Sequence, residues 1–342
     1  MNQRNNILIV NEDQIKKVTQ ILIDKKVLFH PNISPAGIPD FKNYRGREFV
    51  VMLDRNILVD LLRLVETGTL KDRNKLKIVA SLLFWSDFNN VALTSGFALM
   101  EHSHFKGDNS ESSHQHNVFQ SIHDNYSPNI WLALAQGQKT TIPKIEIRST
   151  KKTEYLIDNE HHTWNYLQIL KLCQLLVRSD LSRTEKIEKF HQWSYDNVLI
   201  GIYSTCYAML FLSSQAKLSV KLAKIPIDEI LHSCSNTAWD LTYLSFWSTL
   251  YWTDRGSSEV FLFATMDKEL KKIFTLVHSQ SENAFVKILG EQEATRAKKD
   301  LERIYKPRPK RDFDPVILAE LRNKEEENLL SLMTSTLSNT RS

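Results

Sequence analysis

Apolar positions along the chain fall into two kinds of pattern. Residues 49–53 (FVVML) and 260–265 (VFLFAT) are continuous apolar runs, the mark of strands buried on both faces. The first stops at Asp54 and the second is followed by Asp267. Elsewhere apolar residues recur at helical spacing. Ile15, Val18, Ile21 and Leu22 predict one helix, residues 57–64 a second and about 72–88 a third. A short strand at 91–94 then leads to Ser95, placed to cap a helix carrying Phe97, Ala98, Met100 and Glu101. Further helices are expected at 164–177, 183–195, 197–214 and 226–231. Asn236 is expected to cap another, TAWDLTYLSFWSTLYW, and more follow at 268–277, 291–305 and 316–337. Residues 140–147 read as extended, and 284–289 as a final edge strand.

Two stretches break the periodicity. Residues 31–47 hold Pro31, Pro35, Gly37, Pro39 and Gly46 and read as a connector. Residues 105–120, rich in Ser, His and Asn, read as a mobile loop or lid. The pattern predicts an α/β chain, with a parallel sheet flanked by helices.

Composition narrows the picture. With 342 residues, 42% of them hydrophobic and 25% charged, the chain builds an ordinary globular core without staples. Only 9 glycines argue against a Gly-rich β architecture. The odd set Cys173, Cys206 and Cys234 sits in apolar surroundings and reads as reduced core thiols, which suits the cytoplasm. The apolar stretch near the start is soon interrupted by Glu12 and Asp13, unlike a signal peptide. Residues 198–212 are too short to span a bilayer and read as a buried core helix, so no membrane partner is expected.

Four carboxylates stand out. Asp54 and Asp267 follow buried strands, where open α/β sheets collect their ligands. Glu101 shares a helix face with Phe97 and Ala98, and Asp240 lies in line with Leu244, Trp247 and Tyr251. A buried, ionised carboxylate needs a partner or a proton. Hard divalent cations, Mg²⁺ or Mn²⁺, are the natural partners of such oxygen ligands. Plainer readings are a helix cap for Asp54 and a surface ion pair for Glu101 or Asp267.

LDRNIL around Asp54, SGFALMEHS around Glu101, AWDLTYLSFW around Asp240 and FLFATMDKEL around Asp267 together resemble the PIN-domain nucleases. The resemblance covers residues 49–105 and 230–290, little more than a third of the chain. It implies a PIN-like three-layer sandwich over 49–290 with a helical insertion at about 106–215, an N-terminal extension at 1–48, and a basic linker with a C-terminal helical extension at 291–342. The implied activity is metal-dependent phosphodiester hydrolysis by an endoribonuclease serving as toxin, defence effector or RNA-processing enzyme. Asp54, Glu101, Asp240 and Asp267 would hold two cations about 3.5 to 4 Å apart, with Asn56 and Thr265 orienting ligands and water. The alternatives are an inactive PIN-like binding subunit and a DNA nuclease of the flap-processing kind.

The expected partner is nucleic acid, RNA before DNA. The net charge of +4 permits this without demanding it. Arg55 is placed to neutralise a neighbouring acid or to reach a substrate phosphate. Lys298, Lys299, Arg303, Lys306, Arg308, Lys310 and Arg311 form a basic stretch that either contacts a phosphate backbone or is a solvated linker. The leucine-bearing C-terminal helix reads as a surface for a protein partner or for self-association, or as one that packs on its own domain. His102, His104, His114, His116 and His123 lack accompanying cysteines and read as a solvated segment rather than a zinc site. Neither a nucleophilic triad nor a phosphate-binding glycine loop is present.

Overall fold

In the computed structural model, which describes residues 10–30, 44–147, 152–199, 201–253, 258–278, 284–306 and 313–339, the two apolar runs are neighbouring parallel strands. They are β2 (Glu48–Leu53) and β4 (Glu259–Ala264), with Leu53 opposite Ala264. β3 (Ala92–Thr94) lies parallel on the other side of β2, and β1 (Leu28–Phe29) closes the far edge antiparallel to β4. The order β1-β4-β2-β3 makes this a small mixed four-stranded sheet in a mostly helical α/β chain. Chain order steps from β2 to β3 on one side and later to β4 on the other. A topological switch point therefore lies at the carboxyl end of β2.

The chain divides into two compact units, residues 1–157 with 247–271, and residues 158–246 with 272–342. The first holds the sheet with α1 (Glu12–Asp24), α2 (Arg55–Thr67), α3 (Arg73–Asn89), α4 (Gly96–Lys106), α5 (Ser110–Asn125) and α6 (Pro128–Ala135). Ser95 stands at the N-cap of α4, and Asp54 at that of α2, but neither side chain makes the capping hydrogen bond expected of it. Asp72 Oδ1 accepts from the N–H groups of Asn74 at 2.8 Å and Lys75 at 3.2 Å, starting α3. Val51, Leu53, Ile57, Leu61, Val79, Leu83, Trp131 and Leu262 join one core.

Residues 105–120 depart from expectation. In place of a mobile loop they form the end of α4, a turn at Gly107, and most of α5. The inward positions Ser112, Gln115, Val118, Phe119 and Ile122 follow a helical step, but the first two are polar, so hydropathy conceals the face. The histidines here have separate protein partners. His104 Nδ1 lies 2.8 Å from the Ile157 carbonyl, and His116 Nδ1 lies 2.8 Å from the Tyr155 hydroxyl.

His123 Nδ1 ties α5 to α3, 3.2 Å from Asp87 Oδ1. That bond raises the imidazole pKa above its ordinary value, against the opposing effect of burial. The stabilisation is therefore complete below about pH 6.5 and disappears as pH rises through the raised folded-state value. His123 is 47% exposed, so solvent screening holds the effect to about 0.5 kcal/mol or less. Melting curves should show His123→Gln below the parent at about pH 5.5 and level with it at about pH 9.

The second unit is helical. It comprises α7 (Glu160–Val177), α8 (Arg183–Asn197), α9 (Ile202–Leu212), α10 (Lys217–Lys221), α11 (Ile227–Thr253) as far as Phe246, α12 (Lys268–His278) from Lys272, α13 (Ala284–Leu289), α14 (Glu291–Ile304) and α15 (Pro315–Asn339). Two expectations are corrected. Residues 284–289 are the helix α13, not an edge strand, and Asn236 lies within α11 rather than capping a separate helix. The C-terminal α15 packs on α7 of its own unit, burying Leu318, Leu329 and Met333. Gln174 Nε2 donates to the buried Glu325 at 2.8 Å across that seam. Cys173, Cys206 and Cys234 are buried free thiols. Among the described residues, no helix is long and apolar enough to cross a membrane.

Candidate active site

The parallel pairing of β2 and β4 brings their carboxyl ends side by side. The Asp54 N–H continues the ladder, donating to the Ala264 carbonyl at 2.9 Å, and the Thr265 N–H donates to the Val27 carbonyl at 3.0 Å. Asp54 and Thr265, each one residue beyond its strand, thus occupy adjacent positions at the switch point. Thr265 Oγ1 and Asn56 Nδ2 both donate to Asp54 Oδ2. The same hydroxyl accepts the Asp267 N–H at 2.9 Å, and Asn56 Oδ1 accepts the Met266 N–H at 3.3 Å. Asp267 Oδ1 caps α12, accepting from the N–H groups of Glu269 at 2.7 Å and Leu270 at 3.0 Å. Four residues from two chain segments more than 200 positions apart thereby form one polar cluster.

Asp54 is only 4% exposed. Burial raises its pKa to about 6; the Thr265 hydroxyl pulls it down, the Asp267 charge pushes it up, and the N–H groups of Arg55 and Asn56 lower it. Lys271, one turn beyond Asp267, is the mirror case. Burial lowers its pKa to about 8, with Asp267 and Asp54 pulling it up and Lys26 and Lys25 pushing it down. Its Nζ donates to the Lys25 carbonyl at 2.8 Å. The sequence reading missed Lys271, although its spacing of four from Asp267 was the available clue.

Two adjacent carboxylates at the end of a sheet, one held by neutral donors, are a hard-oxygen donor set. Such oxygens could hold a hard divalent cation such as Mg²⁺ or Mn²⁺, which completes its coordination with waters. Among the described residues, no three Asp, Glu, His or Cys side chains group as ligands of a single ion. The cluster contains two of the four acids expected from the sequence. Glu101 is half-buried on α4 of the same unit, and Asp240 is half-buried on the portion of α11 that belongs to the second unit.

Arg55 opens α2, and its Nη1 donates to Gln115 Oε1 at 2.7 Å. Of the basic stretch, Lys298, Lys299 and Arg303 lie exposed on α14 and Lys306 just beyond it, all in the second unit. Arg303 is paired with Glu188. Arg308, Lys310 and Arg311 fall outside the described residues.

No family model, curated protein or solved structure matches the chain. The functional reading therefore rests on the residues and their geometry.

Proposed function

We propose that this chain is a divalent-metal-dependent phosphodiesterase of PIN-like type, an endoribonuclease acting in the cytoplasm. The observation that carries the reading is the placement of Asp54 and Asp267 at the carboxyl ends of two adjacent parallel strands, at the switch point where open α/β sheets bind ligands. The resemblance of the four acidic motifs to the PIN nucleases supports the chemistry and the preference for RNA. The same resemblance supports the three-layer arrangement and a role as toxin, defence effector or processing enzyme.

On this reading Asp54 and Asp267 hold Mg²⁺ or Mn²⁺, which when bound supplies an activated water and charge stabilisation of the leaving oxygen. The chain's own contribution is preorganisation. Thr265 and Asn56 pin Asp54 Oδ2, so the carboxylate is oriented before substrate arrives. The two bonds that cap α12 use Oδ1 of Asp267, which fixes that carboxylate against its helix. No nucleophilic side chain is required.

The test is incubation with labelled single-stranded RNA, single-stranded DNA and duplex DNA in Mg²⁺, Mn²⁺ or EDTA. RNA should be cut with either metal and spared in EDTA. Cleavage that persists in EDTA, or its absence with every substrate, contradicts the proposal. RNA bound but never cut identifies a binding subunit instead, and cleavage of DNA alone moves the substrate.

A further inference from the structure

Arg55 directly follows the buried acid in the chain, so their Cα atoms are about 3.8 Å apart. Its guanidinium reaches the α4–α5 pair, where Nη1 donates to Gln115 Oε1 at 2.7 Å.

Gln115 is 8% exposed, and its amide has one consistent orientation. Its Nε2 donates to Glu111 Oε1 at 3.3 Å and lies 3.4 Å from His102 Nε2, which turns Oε1 toward Arg55 at 2.7 Å. The reverse orientation would set amide hydrogens against the guanidinium and the amide oxygen against a carboxylate, so the neighbours exclude it. Glu111 is itself anchored, with Oε2 3.3 Å from Lys106 Nζ and 3.2 Å from His102 Nε2. A nearly buried glutamine linked on one side to a carboxylate and on the other to an arginine is a device for aiming a planar, multidentate cation. Guanidinium geometry matches phosphate oxygens.

We propose that Arg55 grips a phosphate of single-stranded RNA beside the acids, and that Gln115 is the positioning residue that aims it. This rests on the phosphodiester reading of the site and deepens it by assigning the substrate contact to α2 and the hairpin of α4 and α5.

The test measures binding of a short fluorescein-labelled oligouridylate by anisotropy, in Ca²⁺ buffer, to the parent, Arg55→Ala, Gln115→Leu, Gln115→Asn and the double variant Arg55→Ala with Gln115→Leu. Circular dichroism and melting establish that each is folded. Arg55→Ala should raise Kd about tenfold or more and reduce the salt slope by about 0.7. Gln115→Leu should raise Kd about threefold, and Gln115→Asn, which withdraws the amide by one methylene, about as much. Because Gln115 acts through Arg55, the double variant should bind no worse than Arg55→Ala alone. A parent that does not bind, an Arg55→Ala that binds as tightly as the parent, or a double variant showing the full sum of both losses overturns the inference. Cleavage by Arg55→Ala at parental affinity would sink the clamp and leave the nuclease reading standing. The expected binding pattern in a protein that cuts nothing would do the reverse.

Discussion

Asp54→Asn is expected to abolish about three orders of magnitude or more of the cleavage rate and, in metal-free buffer near neutral pH, to melt higher than the parent. The first effect follows from losing the anionic oxygen at the centre of the cluster, since charge stabilisation by a cation supplies several kcal/mol at about 1.4 kcal/mol per decade. The second follows from linkage. Burial first, and the Asp267 charge after it, raise the Asp54 pKa from 3.8 to about 6. The folded protein therefore holds a proton there that the unfolded chain has already released. Stability due to this group is greatest below the unfolded value, falls as pH rises through the interval from about 4 to about 6, and stays at its lowest above it. A shift of about two units corresponds to a cost of about 3 kcal/mol at neutral pH. Asparagine carries no such cost, and its carbonyl oxygen still accepts from Thr265 and Asn56. Melting of parent and variant from pH 4 to pH 8 should show curves that converge in acid and separate toward neutrality. A variant that melts below the parent at neutral pH and still cuts RNA contradicts both halves of the expectation.

Thr265→Val should cost about 2 to 3 kcal/mol in urea unfolding and reduce cleavage about tenfold to a hundredfold. The Thr265 side chain is 1% exposed and nearly the same shape as valine, so little packing is lost. What disappears is the hydroxyl, which donates to Asp54 Oδ2 and accepts the Asp267 N–H. Its loss leaves a buried acceptor and a backbone donor each short of a partner. It also removes the strongest influence holding the Asp54 pKa down, so the fall in the variant's stability should continue to a higher pH than the parent's. Thr265→Ser retains the hydroxyl and should recover most of the rate. If valine and serine behave alike, the hydroxyl does not serve the carboxylate.

The parallel strands were legible in the sequence for a physical reason. A strand buried on both faces needs apolar residues throughout, so β2 and β4 appear as unbroken runs, and the acids that end them are conspicuous. β1 left no comparable mark, because two residues, Leu28 and Phe29, display no period. Short apolar runs do not discriminate helix from strand, and 284–289 was misread on that account. α5 was concealed by its own core contacts. Ser112 is used inside to receive Ser103 Oγ at 2.7 Å, and Gln115 to hold Arg55, so polar residues occupy the buried face. Asn236 shows the converse error, since a residue suited to capping is tolerated on the exposed side of a helix whose inner side carries Cys234, Ala238 and Trp239.

The candidate site was legible to the same extent. Asp54 and Asp267 were recognisable because buried apolar runs lead into them, and Asn56 and Thr265 only through the motifs that resemble the PIN nucleases. Gln115 was not, as its role depends on a helix that hydropathy conceals. Asp240 shows what helical spacing leaves open. Periodicity assigns it to a helix face, but which compact unit that stretch of helix joins depends on long-range packing, which spacing does not encode.

The central claim is that Asp54 and Asp267 together bind a divalent cation. Titration of Mn²⁺ into the metal-free protein, followed by electron paramagnetic resonance of the free ion, measures this without requiring any substrate. Saturable binding by the parent, reduced at least tenfold in affinity by Asp54→Asn and by Asp267→Asn, is the predicted result. Absence of saturable binding by the parent, or binding by both variants as tight as the parent's, would contradict it.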